Sequence, residues 1–180
     1  KAAPDAILVP KIGNSVDVQR ASALLGKAPA SLALWLMMET PQAIFHANEI
    51  AGAGGRLNCL VMGTNDLVKE LRAQHTPGRE ALLASLNICV LAARAHGLAV
   101  IDGVFNEIAD AAGFEAVGRQ GRAMGFDGKT LIHPSQVESC NRIFSPAPEE
   151  VNRARAILAA FDRPENKAKG AIALDGRMLE

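Results

Sequence analysis

The feature that most constrains this chain is a repeated rhythm, in which short apolar runs are each followed by a helical pattern, with no low-complexity break before the tail. Residues 6–10 read as a strand and 16–25 as a helix ended by Gly26. Residues 32–38 form the second strand pattern, with Pro41 just inside a helix that runs to about residue 50, before the turn Gly52-Ala-Gly-Gly55. The third strand is predicted at 57–62. A loop then leads to Thr76-Pro77, an N-cap and first-turn proline that predict the start of a long helix through Leu82, Leu86, Cys89, Val90 and Ala93 to Gly97. A fourth strand at 98–101, a helix near 115–124, a fifth strand at 130–132 and a final helix at about 148–161 complete the pattern. The polar stretch 162–170 and a short ending at Glu180 follow it. Apolar runs of three to seven residues alternating with helices are the mark of buried parallel strands in an α/β chain.

Two architectures accommodate five βα units. A five-stranded doubly wound sheet is complete at this size, whereas a (β/α)8 TIM barrel takes ~250 residues and eight units. A strand six residues from the start, with no initial Met, favours a barrel of which only the last five units and a C-terminal arm are present. The expected division is residues 1–146 as barrel and 147–180 as a helix and arm that pack on a neighbouring subunit. Nineteen basic against nineteen acidic residues give no net charge to attract nucleic acid or an anionic membrane. No run approaches the ~18 apolar residues of a membrane span, so a soluble, cytoplasmic protein is expected. Cys59, Cys89 and Cys140 are odd in number and unevenly spaced, which reads as reduced core thiols.

In both architectures the ligand site lies at the carboxyl ends of the strands, and Glu39, Asp66, Asp102 and His133 all stand there. Glu39 and Asp66 end consecutive strand patterns. Strands lie ~4.8 Å apart, so two such carboxylates can share one ion. Magnesium typically keeps one or two protein carboxylates and leaves its other positions to water and substrate. Each residue also has a structural reading. Glu39 suits the start of the helix opened by Pro41, Asp66 can cap a turn, Asp102-Gly103 is a turn signal, and His133 before Pro134 can be a backbone-bonded histidine. Lys11 and Lys129 read as solvated or salt-bridged, and His46, His75 and His96 as surface residues.

Four stretches carry a family resemblance: Met37-Met-Glu-Thr-Pro41, Gly63-Thr-Asn-Asp-Leu67, Val100-Ile-Asp-Gly-Val104 and the block from Gly125 through His133-Pro-Ser-Gln136. In this order they resemble the citrate lyase beta-subunit-like family of the HpcH/HpaI aldolase and citrate lyase superfamily, which includes malyl-CoA and citramalyl-CoA lyases. The resemblance implies a TIM barrel, with Glu39 and Asp66 as magnesium ligands and the backbone around Asn65 and Asp66 holding the carboxylate of a 2-keto acid. It implies that Ile132 and His133 line an acyl-CoA channel. It also implies a C-terminal segment folded over a neighbouring subunit, in a trimer or hexamer. That segment ends here in Gly176-Arg-Met-Leu-Glu180, so that Glu180 stands where the family has a catalytic Asp. The family's substrate-binding arginines belong to the first three βα units, which this chain does not contain.

The activity so implied is a magnesium-dependent retro-Claisen cleavage of a 3-hydroxyacyl-CoA of malyl, citramalyl or citryl type, giving an acyl-CoA and a keto acid. A thioesterase of the same fold, a pyruvate-class aldolase and a non-catalytic CoA-binding subunit remain open. No dinucleotide fingerprint, P-loop or nucleophile elbow is present.

Overall fold

A computed structural model describes residues 3–174 and 176–179. The chain divides into two compact units, one up to Phe144 and one from Ser145. The first contains five parallel strands, β1 (Ala6–Val9), β2 (Ala33–Met38), β3 (Leu57–Met62), β4 (Ala99–Asp102) and β5 (Gly128–Lys129), paired in sequential order. Doubly wound sheets reverse their strand order at a switch point, and this sheet does not.

Alternation along β2 explains how the sheet packs. Leu34, Leu36 and Met38 are fully buried, while Ala33, Trp35 and Met37 on the opposite face are only half-buried. The buried face joins Leu60, Met62 and Val100 of the neighbouring strands and is covered by apolar residues of the helices between them. These are α1 (Ser15–Leu24), α2 (Pro41–Phe45), α3 (Ala47–Ala51), α4 (Thr64–Glu70) and α5 (Leu83–Ala95), which contribute Val18, Ile44, Ile50, Leu67 and Leu86 to one continuous core. Right-handed crossovers between strands in sequential order put successive helices on the same face.

Local signals place the helix starts. The Asn14 side chain accepts from the N–H groups of Val16 and Asp17, Thr40 Oγ1 accepts from Ala43 N–H at 3.0 Å with Pro41 following, and Asp110 caps α6 (Ala111–Met124) through Gly113 N–H. Gly97 (φ +67°) and Gly125 (φ +100°) take left-handed conformations just after α5 and α6. The first unit closes with α7 (Val137–Phe144), and all three cysteines are free and buried in it.

The second unit holds α8 (Pro148–Phe161) and an antiparallel pair, β6 (Ile172–Leu174) with β7 (Arg177–Leu179). The α8 start is fixed by Pro148 and by Glu150, whose carboxylate accepts from Ala147 N–H at 2.7 Å.

Several sequence expectations are corrected. The long helix starts at Leu83, not at Thr76-Pro77, because Arg79 takes a left-handed backbone (φ +57°) that interrupts any helix from there. The loop expected after β3 contains α4, and the helix from Pro41 breaks at His46 into α2 and α3. The helix expected near residue 115 starts at Ala111. The fifth strand is Gly128–Lys129, so Thr130 and Ile132 lie beyond it. Helix α7 and the β6–β7 pair have no counterpart among the expectations. No helix among the described residues is long and apolar enough to cross a membrane.

Candidate active site

Glu39 follows the last residue of β2, and Asp66 lies in the first turn of α4, just past β3. The strands pair Met38 with Met62, so both carboxylates stand past the same end of the sheet. Gly63 makes the approach feasible, because a Cβ there would fall 2.4 Å from the Glu39 Cβ. Lys11 completes the group from beyond β1. Its backbone N–H donates to Glu39 Oε1 at 2.8 Å, and its ammonium lies 2.8 Å from Asp66 Oδ2 and 3.6 Å from Glu39 Oε1.

The local electrostatics follow from these contacts. The Lys11 ammonium, and after it the neighbouring Glu39 carboxyl, hold the Asp66 carboxyl below its usual range. The hydrogen bond with Asp66 in turn raises Lys11. Glu39 is 3% exposed, whereas Asp66 is 45% and Lys11 57% exposed in their side chains, so the pair has a buried floor and an open mouth.

The other expected site residues are placed differently. Asn65 exchanges two amide hydrogen bonds with Asn106, at 3.0 and 2.9 Å. Ile132 and His133 stand in the segment after β5 and make their hydrogen bonds within it. Ile132 N–H donates to Gln136 Oε1, and His133 Nδ1 accepts from Ser135 N–H. Buried Gln136 ties that segment to the one after β4 by donating to the Phe105 carbonyl at 3.1 Å. Glu180 lies outside the described residues.

A second carboxylate sits at the ends of β4 and β5. Asp102 is fully buried and accepts from Arg79 Nη1 on both oxygens, at 2.7 and 2.8 Å, from Lys129 Nζ at 3.1 Å and from Gly103 N–H at 2.8 Å. Arg79 is anchored further by Nε donating to Gln120 Oε1 at 2.7 Å. Burial holds the Lys129 pKa below its ordinary value, and Asp102 offsets this only in part. This arrangement accounts for Asp102 as a structural anchor and for Lys129 as a salt-bridged residue, although its side chain is 0% exposed. Arg79 was not visible to sequence reasoning, since Thr76-Pro77 reads as the start of a helix and gives Arg79 no role of its own. Lys11 had one legible signal, its place after a strand in the same frame as Glu39 and Asp66.

The donor chemistry of the first group fits a hard cation. Both side chains offer oxygen, and the Lys11 ammonium already puts a positive charge against both. Among the described residues no three or more His, Cys, Asp or Glu side chains gather as a metal cluster. Two carboxylates with the remaining positions left to water and substrate suit magnesium and do not suit zinc.

Residues 1–134 match the family model described as HpcH/HpaI aldolase/citrate lyase. The chain belongs to this family. Among members of the HpcH/HpaI aldolase/citrate lyase family, it is 48% identical over 180 residues to a (3S)-malyl-CoA thioesterase of Cereibacter sphaeroides, covering all of this chain and 61% of the relative. It is 32% identical over 184 residues to the citrate lyase subunit beta of Escherichia coli K12, covering 98% of this chain and 61% of that protein. The chain therefore spans about three-fifths of the length of these curated relatives.

Among solved structures, CitE from Mycobacterium tuberculosis in complex with magnesium, acetoacetate and coenzyme A superposes with a TM-score of 0.72 at 28% identity, covering 98% of this chain and 63% of that one. A citrate lyase from Burkholderia xenovorans LB400 gives a TM-score of 0.85 at 23% identity over all of this chain and 60% of its own, a likeness of fold.

Proposed function

We propose that the protein containing this chain is a magnesium-dependent enzyme that cleaves a malyl-type CoA ester, and that its five strands are consecutive members of a (β/α)8 barrel. The observation that carries the functional reading is the Glu39–Asp66 pair, two oxygen donors just past the ends of adjacent strands with one ammonium against both. The sequential strand order supports the barrel, as does the half-buried apolar face of Trp35 and Met37, which a closed barrel would cover. Residues from about 147 onward are the proposed arm that packs on a neighbouring subunit of a homo-oligomer; a monomer of full activity by light scattering would count against it.

Magnesium held by Glu39 and Asp66 would polarise a substrate oxygen and stabilise negative charge that develops on it. The chain's own residues do the rest. The N–H groups of Asn65 and Asp66 belong to the first turn of α4, where helical N–H groups have no acceptor within the helix and can bind a substrate carboxylate. Gly63 keeps that turn close to Glu39. Ile132 and His133 line the path of the acyl-CoA, and Glu180 is the proposed proton donor.

The same site serves two outcomes. Thioester hydrolysis gives a hydroxy acid and free CoA, whereas carbon–carbon cleavage gives a 2-oxo acid and a shortened acyl-CoA. The 48% identity to malyl-CoA thioesterase, against 32% to the citrate lyase subunit, favours hydrolysis. The lyase reading is the second, supported by the carboxylate pair and by the keto acid in complex with the CitE relative.

Incubating the whole polypeptide with (3S)-malyl-CoA and magnesium, and identifying products by mass spectrometry, separates them. Malate with free CoA establishes hydrolysis, and glyoxylate with acetyl-CoA establishes the lyase. Turnover of a free hydroxy keto acid without CoA would favour a pyruvate-class aldolase. No turnover of any of these, with or without magnesium, would leave a binding subunit.

A further inference from the structure

A second concavity lies beside the Asn65–Asn106 pair, between the segment that leads into α5 and the segment that leads into α6. Its volume is about 280 Å³, and its apolar wall includes Pro77, Leu82, Phe105 and Val117. That size lies at the lower end of small-ligand sites, which are mostly apolar with a few fixed polar groups. All its lining residues fall between Thr64 and Val117, so adjacent βα units of the first unit form the whole pocket.

Two of the residues that line this pocket carry a polar atom without a partner. Arg79 Nη2 and Thr64 Oγ1 are buried and make no hydrogen bond, although their residues are only 8% and 3% exposed. An unsatisfied buried donor costs about 1–3 kcal/mol, so such groups are normally paired. Arg79 is not free to turn away. Nη1 is committed to both Asp102 oxygens and Nε to Gln120, and the backbone is held left-handed at φ +57°. Strained backbone of this kind persists where the surroundings over-determine it, and it gathers at binding sites. The charges are also unbalanced, since Arg79 and Lys129 face one carboxylate, Asp102.

We propose that this pocket binds a small carboxylic acid with an apolar body of about five or six carbons, its carboxylate on Arg79 Nη2 and Thr64 Oγ1 and its tail against Leu82, Phe105 and Val117. The site is separate from the Glu39–Asp66 pair and does not depend on the reaction proposed there. A charged guanidinium N–H and a hydroxyl suit the oxygens of a carboxylate and give an alcohol or alkane far less.

Saturation-transfer NMR of the whole polypeptide with hexanoate, using hexan-1-ol as the neutral control, tests the proposal. Variants are chosen to leave the Arg79–Asp102 pair intact. Ala116→Phe acts at an exposed helix position on the pocket wall, and Thr64→Val replaces the hydroxyl with a methyl group. Hexanoate is expected to bind and hexan-1-ol to bind at least tenfold more weakly. Ala116→Phe is expected to abolish hexanoate binding and Thr64→Val to weaken it about fivefold. Absence of hexanoate binding, binding unchanged in Ala116→Phe, or equal binding of the alcohol would each overturn the proposal. A crystal structure with ordered water alone on Arg79 Nη2 at saturating hexanoate would do so too.

Discussion

Two carboxylate–cation groups stand at the carboxyl ends of the same sheet, and they differ chiefly in access to water. At the ends of β2 and β3, Glu39 and Asp66 face a lysine that is 57% exposed. At the ends of β4 and β5, Asp102 is enclosed by Arg79 and Lys129 with almost no exposure. A charge pair in water is weak and exchangeable, whereas an enclosed one cannot lose a partner without stranding the other. Similar side chains therefore form an open, exchangeable ion pair in one place and a fixed structural tie in the other.

The largest expected effect comes from breaking the enclosed group. Asp102→Ala strands two buried cations and should destabilise the fold by about 3–5 kcal/mol, measured by urea denaturation. A loss below about 1 kcal/mol would show that water reaches the cluster and would erase the contrast. Asp66→Asn is expected to do the opposite, with stability close to that of the parent and magnesium-dependent turnover lowered by a hundredfold or more. Gly63→Ala should fall between them. Its new methyl meets Glu39, so turnover is expected to fall about tenfold with a smaller loss of stability, measured by kinetics and melting on the same samples.

How much of this was legible in sequence depended on whether a signal was local. The β3 strand and α8 matched their expected bounds, because an apolar run broken only at Asn58 and a proline-led amphipathic pattern are self-contained. Glu39 and Asp66 were legible for a related reason, since each follows a strand at a short offset. The start of α5 was not. Thr76-Pro77 carries a proper N-terminal signal, but the tie from Arg79 to Asp102, 23 positions away, imposes a different backbone there. The fifth strand was misplaced for the same reason. Gly128 and Lys129 have little strand character, and their pairing with β4 is set by Lys129 reaching Asp102 and by Asp127, which accepts from Arg94 and from Val100 N–H. Helix α4 was missed because its N-cap, Gly63, has no side chain to announce it.

The smallest effect expected lies between the two regimes. Burial raises the Asp127 pKa, but the Arg94 ion pair and the Val100 N–H outweigh it and leave the carboxyl below its ordinary value of 3.8. A depressed carboxyl contributes stability above its unfolded pKa and loses it as pH falls through the folded value. Asp127→Asn should thus cost a little stability at pH 7 and nothing once the parent's carboxyl is protonated. Denaturation curves at neutral and strongly acidic pH read the difference directly, and because Asp127 is 42% exposed the effect should be far below that of Asp102→Ala.

The open pair is proposed to be a hard-cation site. Isothermal titration of magnesium into the whole polypeptide, alongside Glu39→Gln and Asp102→Asn variants that remain folded, tests it most directly. Saturable binding at one site that is lost in Glu39→Gln and kept in Asp102→Asn is the result expected here. Binding that is absent, or that survives Glu39→Gln unchanged, would contradict it.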